Sequence, residues 1–202
     1  MGYSSDIQVQ FMNDETTADP DYFVTAARPN TAATLAQTIY RADGGATTLT
    51  VTTTGTGDNA KTNTVVGTDI FGNAVTEVIT STGSAEAVAG ETYFKTITSI
   101  TSSAQFAANI TIGFGDTKAH AVNGGDRVRL KGYSIVSGGT AGTIDFIDGT
   151  PESGSVLFKA QTIGTDHTTI DNTIPEQGIL FKDGLSIKYT KGSIAMMSFF
   201  FA

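Results

Sequence analysis

A chain of 202 residues with 39% hydrophobic and 16% charged side chains is too apolar to stay disordered and too sparsely charged for a protein with helical surfaces. A net charge of -8 argues against nucleic-acid or anionic-membrane partners, because phosphate binding needs clustered Lys and Arg. With 23 Gly, much Thr and no Cys, stability has to come from sheets, tight turns and burial, without disulfides or thiolate chemistry.

Residues 1–34 carry Pro20, Pro29, several acids and one apolar patch at Tyr22, Phe23 and Val24, and read as an extended N-terminal arm. Such an arm lies either on its own domain or on a neighbouring subunit, with Tyr22 and Phe23 as anchors. The opening MGYSSDIQVQFMND has no basic segment followed by an apolar core, and Asp6 stands where an acylation signal wants Ser or Thr; neither a secretory leader nor myristoylation is expected.

From Leu35 the pattern turns to strands. Short runs at 36–42 and 47–54 are parted by the turn signal Asp43-Gly44-Gly45. The hairpin KTNTVVGTDIFGNAVTEVIT follows, two Val, Ile and Thr runs around Gly72-Asn73, where Gly accepts positive φ and Asn bonds its own backbone. STGSAEAVAG reads as a loop, and 93–101 and 109–114 as strands. The spacing of Ile97 and Ile100 predicts a bulge or a strand end between them. Residues 35–117 therefore read as a small β-sandwich.

Gly115 to Gly125 break the alternation and mark a boundary. Beyond it lie strands at 127–136, 143–147, 155–163, 178–181, 185–189 and 193–201, with Asp148-Gly149 and Asp183-Gly184 as two-residue hairpin turns. Residues 118–202 read as a second β-sandwich or jelly-roll-like domain. The expected fold class is all-β: two small antiparallel domains preceded by the arm. SIAMMSFFFA is apolar on both faces and reads as a central strand, and Phe199, Phe200 and Phe201 join Tyr22 and Phe23 as candidate contact residues.

No catalytic, cofactor or metal site is expected. His120 and His167 are the two histidines, and Asp166-His167-Thr168 are sequence neighbours that alternate sides in a strand instead of converging. Asp145 with Asp148, and Asp166 with Asp171, sit beside Gly, Thr or Asn, where Asp makes turns; no D-x-D-x-D-G calcium loop is present. Gly44-Gly45, Gly124-Gly125 and Gly138-Gly139 lack the Lys and helix of a phosphate cradle. Arg127, Arg129 and Lys131 alternate as on a solvated strand face.

VVGTDIFGNAVTEVIT followed by TYFKTITSITSSAQFAANITIGFGD resembles a module of tailed-bacteriophage structural proteins, a G-T-D-x-x-G-N-x-x-T-E hairpin and two strands, through Gly67, Thr68, Asp69, Gly72, Asn73, Glu77, Phe94, Ile97, Ile100 and Gly113. SGGTAGTIDFIDGTPESG and IPEQGILFKDGLSIKYTKG are similar to small phage virion proteins. The resemblance implies a non-enzymatic virion component assembled in the host cytoplasm. That component is a capsid decoration (cement) protein on the major capsid protein, or a neck or tail accessory protein, and often a trimer. Two other classes compete: a receptor- or carbohydrate-binding module, disfavoured by the absence of Trp, and a hydrolase, which needs two carboxylates brought together from separate loops.

Overall fold

The computed structural model describes residues 7–13, 17–41, 44–83, 85–165, 168–190 and 192–202. Asp6, Asp43, Ser84, Asp166, His167 and Lys191, which figure in the sequence reading, lie outside that set. The protein is all-β with antiparallel sheets of sandwich type. Its described strands are β1 (Gln8–Asn13), β2 (Asp19–Ala27), β3 (Gly45–Thr53), β4 (Thr62–Thr68), β5 (Ala74–Thr80), β6 (Ala87–Phe94), β7 (Thr96–Ser102) and β8 (Ile110–Val122). They continue with β9 (Val128–Ser137), β10 (Ala141–Asp148), β11 (Ser155–Ile163), β12 (Thr169–Thr173), β13 (Ile179–Phe181), β14 (Leu185–Thr190) and β15 (Ile194–Phe201).

The chain divides into a unit of Thr17–Thr117 and a unit made of Met1–Thr16 with Lys118–Ala202. Within the first 34 residues, Gln8–Asn13 and Asp19–Ala27 are strands, and they form no separate arm. β1 pairs β15 in one unit and β2 pairs β8 in the other. The reason is burial: Phe23 and Val24 are fully enclosed in the 17–117 core, and Met12 in the other.

In the 17–117 unit, β3 pairs β6, β2 pairs β8, and β5-β4-β7 form a separate sheet. The core between them holds Leu49, Val51, Val65, Phe94, Ile97, Ile100, Ile110 and Ile112. The hairpin of β4 and β5 pairs in unbroken register from Thr62↔Thr80 to Thr68↔Ala74. Gly72 takes φ +91, but an aspartate organises the turn: Asp69 Oδ1 accepts from the amides of Phe71 (2.9 Å) and Asn73 (2.8 Å), and Oδ2 from Asn73 Nδ2 at 3.0 Å. Glu77 lies over the next strand, its Oε1 accepting from the amides of Glu91 (2.5 Å) and Thr92 (3.3 Å), where Gly90 leaves room. Register shifts between β4 and β7 opposite Thr98, the bulge that the spacing of Ile97 and Ile100 predicts.

Other segments depart from the sequence pattern. The run expected at 36–42 is no strand over its described residues, 36–41; Thr31 to Tyr40 follow the edge of β7 through bonds such as Ala33 N to Ile100 O (2.9 Å) and Ile97 N to Thr38 O (2.7 Å). The expected loop at 81–90 ends early because β6 begins at Ala87, and the strand expected at 93–101 is two, parted at Lys95. No break occurs at Gly115: β8 runs to Val122 with Lys118 and His120 buried, and the chain turns only at Asn123, Gly124 and Gly125, all with positive φ.

In the other unit, β1-β15-β9-β12 form one sheet, β13 also pairs β9, and β11-β10-β14 pair in that order. β15 is a central strand, between β1 and β9, as its two apolar faces predict. Asp148-Gly149 and Asp183-Gly184 do not close two-residue hairpins: β10 resumes as β11 only at Ser155, and β13 and β14 pair different neighbours. The two turns are instead bonded to each other, Asp183 N to Asp148 Oδ1 at 2.7 Å and Gly149 N to Gly184 O at 2.8 Å.

Candidate interaction surface

The five contact candidates separate by burial. Phe23 is a core residue, packed edge-on with Tyr22 at 4.9 Å and with Phe114 at 6.3 Å. Tyr22 is half-buried and its hydroxyl donates to the carbonyls of Ile39 and Tyr40, both at 3.3 Å. Phe199 and Phe201 are buried in the second core, where Phe199 lies 6.3 Å from the Phe146 ring. These four have little or no surface to offer a partner: Phe199 and Phe201 share the inner face of β15 because successive strand residues alternate faces, and Phe23, with Tyr22 half-buried against it, is enclosed in the 17–117 core. Phe200, between two inward neighbours, points outward.

The register of the sheet shows what surrounds Phe200. On its outer face Val9 is opposite Phe200, Phe11 opposite Ser198 and Asn13 opposite Met196, while Gly132, Ser134 and Val136 of β9 stand beyond β15. Ile7, Val9 and Phe11 are each more than half exposed, at 58%, 61% and 52%, and Met196 is exposed beside them. At the Phe200 end this face deepens into a groove of about 640 Å³ with Ile7, Phe200, Ile174 and Pro175 among its apolar walls and Arg129 and Lys131 along one side. A register shift between Phe200 and Phe201 bulges β9 here and re-aims Lys131. Lys131 Nζ donates to the carbonyl of Glu176 at 3.2 Å and Arg129 Nη1 reaches that of Gln177 at 3.5 Å, which ties the loop after β12 to the groove wall.

This apolar band, continuous with a groove, departs from a solvated sheet face, which normally alternates inward apolar with outward polar residues. One signal for it stood in the sequence. Ile7-Gln-Val9-Gln-Phe11 alternates strictly, but of its polar residues Gln8 stays exposed at the sheet end, while Gln10 is the one turned inward and half-buried. Gln10 is satisfied there, its Nε2 donating to Ala121 O at 3.0 Å and its Oε1 accepting from Asn123 N at 3.1 Å.

The described residues among those considered for catalysis or metal binding are used in bonding. Asp145 pairs with Lys159 at 3.1 Å and lies 4.0 Å from Lys188. Asp148 holds Asp183, Asp171 accepts from the Ser134 hydroxyl, and His120 Nε2 is 3.0 Å from Gln10 Nε2. Among the described residues no three His, Cys, Asp or Glu side chains converge as metal ligands. The chain matches no protein-family model, no curated protein and no solved structure.

Proposed function

We propose that the chain is a structural virion protein of a tailed bacteriophage, in the first place a capsid decoration protein that docks on the major capsid protein lattice. The observation that carries this reading is the exposed apolar band of Ile7, Val9, Phe11 and Met196 leading into the Phe200 groove. It joins the phage-module resemblance, in which Asp69 and Glu77 serve the fold by closing a turn and fastening a strand. Protein docking uses such a face: apolar anchors enter pockets and a polar rim excludes water.

The test is co-sedimentation of purified protein with particles that lack it. Wild type is expected to pellet with the particle, and Met196→Lys combined with Ile174→Lys to lower occupancy roughly tenfold, the effect of losing about 1.4 kcal/mol of contact. Undiminished occupancy with an intact far-UV spectrum overturns docking through this face. No binding of the wild type overturns the virion reading.

A further inference from the structure

We infer that β1 is a subunit contact, pairing edge to edge with β1 of a second copy of this chain about a two-fold axis. Exposed sheet edges invite unwanted pairing, and proteins guard them with charge, proline, bulges, short strands or a covering segment. The other described edges carry such guards. β11 has Lys159 at its middle and a register break against β10; β2 has Pro20 and two register breaks; β12 and β13 are 5 and 3 residues long with Pro175 between them. β7 is lined by Thr31 to Tyr40, and Glu77 of β5 fastens β6.

Among the described residues β1, 6 residues long, has no charge, proline, bulge or covering segment. It pairs β15 in unbroken register from Gln8↔Phe201 to Asn13↔Met196. It contains no charged residue and no Pro, and among the described residues its main chain has no other strand partner. Of its outward side chains, Val9 and Phe11 are apolar and more than half exposed, and Asn13 at its end is polar and uncharged. What fits such an edge is an extended, uncharged strand with alternating apolar residues, and a second β1 is one. In a chain of net charge -8, a charge-free edge is also where two copies approach with least local repulsion.

Antiparallel pairing centred on Gln10 sets Val9 opposite Phe11 of the partner subunit and keeps both on the same face, so the apolar row runs on across the axis. Opposed side chains in such a pair lie about 5 Å apart and reinforce each other. The contact is isologous, each copy giving and receiving the same surface, which is the commonest oligomer symmetry. It is two-fold, whereas the resemblance implies a trimer. The inference stands on the β1 edge and does not need the virion reading.

The test is sedimentation equilibrium of the full chain at about 100 µM, where contacts of micromolar affinity are saturated. Wild type is expected to be a dimer, Val9→Lys and Phe11→Lys monomers, and Leu157→Lys on the guarded β11 edge still a dimer. Because the chain has no Cys, Val9→Cys chains should cross-link through a short bis-maleimide, whereas Leu157→Cys chains should not. A monomeric wild type, a dimer that survives Phe11→Lys, or equal cross-linking from Leu157→Cys overturns the inference. A monomer that still binds particles overturns only the dimer, and a β1-linked dimer that fails to bind them overturns only the virion reading.

Discussion

Replacing Asp58 with Asn should remove a pH-dependent part of the stability of the 17–117 unit. The Asp58 side chain is fully buried, which by itself pushes the carboxyl pKa up. Hydrogen bonds from Lys61 Nζ (2.7 Å), the amides of Ala107 (2.6 Å) and Ala108 (3.0 Å) and the Thr53 hydroxyl (3.0 Å) together outweigh that, lowering it from 3.8 to about 2. A depressed folded pKa contributes stability that is present above the unfolded value and is lost as pH falls through the folded one. The difference corresponds to roughly 2 kcal/mol. Asn keeps the shape but turns an amide N–H toward two donors, adding about 1 kcal/mol of unsatisfied bonding. Urea titrations should therefore separate wild type from Asp58→Asn by about 3 kcal/mol at pH 7, narrowing to about 1 kcal/mol near pH 2. Hydrogen exchange at the Ala107 and Ala108 amides should accelerate in the variant and locate the effect. A gap that stays constant from pH 7 to pH 2 would refute the ionised, four-bonded carboxylate.

Phe199→Ala should cost about 3–5 kcal/mol as a large-to-small core change, while Phe200→Ala should cost about 1 kcal/mol or less, read as urea midpoints. Gly113→Ala would set a Cβ 1.9 Å from the carbonyl oxygen of Asp19, so β2 must move; the expected loss is about 2–3 kcal/mol, with faster exchange along β2. Asp69→Ala leaves the amides of Phe71 and Asn73 without their acceptor and should lower stability by about 2 kcal/mol, with altered amide shifts confined to residues 69–73.

The fold class was legible because alternation and turn chemistry are local. The Thr62 to Thr80 hairpin, the bulge at Thr98 and the β11 and β15 strands all follow from period-two patterning over a few residues. Elements set by tertiary contact were not. β8 reads as broken because Lys118 and His120 look like surface residues, yet they are buried. β12, with Asp171 and Asn172, reads as a loop and becomes a strand because β9 offers it an edge. Which aromatic side chains reach the surface was not legible for a related reason. Aromatic content singles out Phe23, Phe199 and Phe201, but strand parity decides which aromatic faces out, and parity became readable only once β15 had β1 beside it.

The pairing of β1 with β15 joins residues near the start of the chain to the last strand described. On a ribosome the Thr17–Thr117 unit is complete in sequence as soon as its own residues have emerged, whereas the first strand of the other unit waits for some 180 residues to follow it. During that interval the uncharged hexapeptide QVQFMN is without β15. Synthesis order thus makes the nascent N-terminal strand the point where premature assembly between neighbouring chains would begin, and crowding on a polysome would favour it.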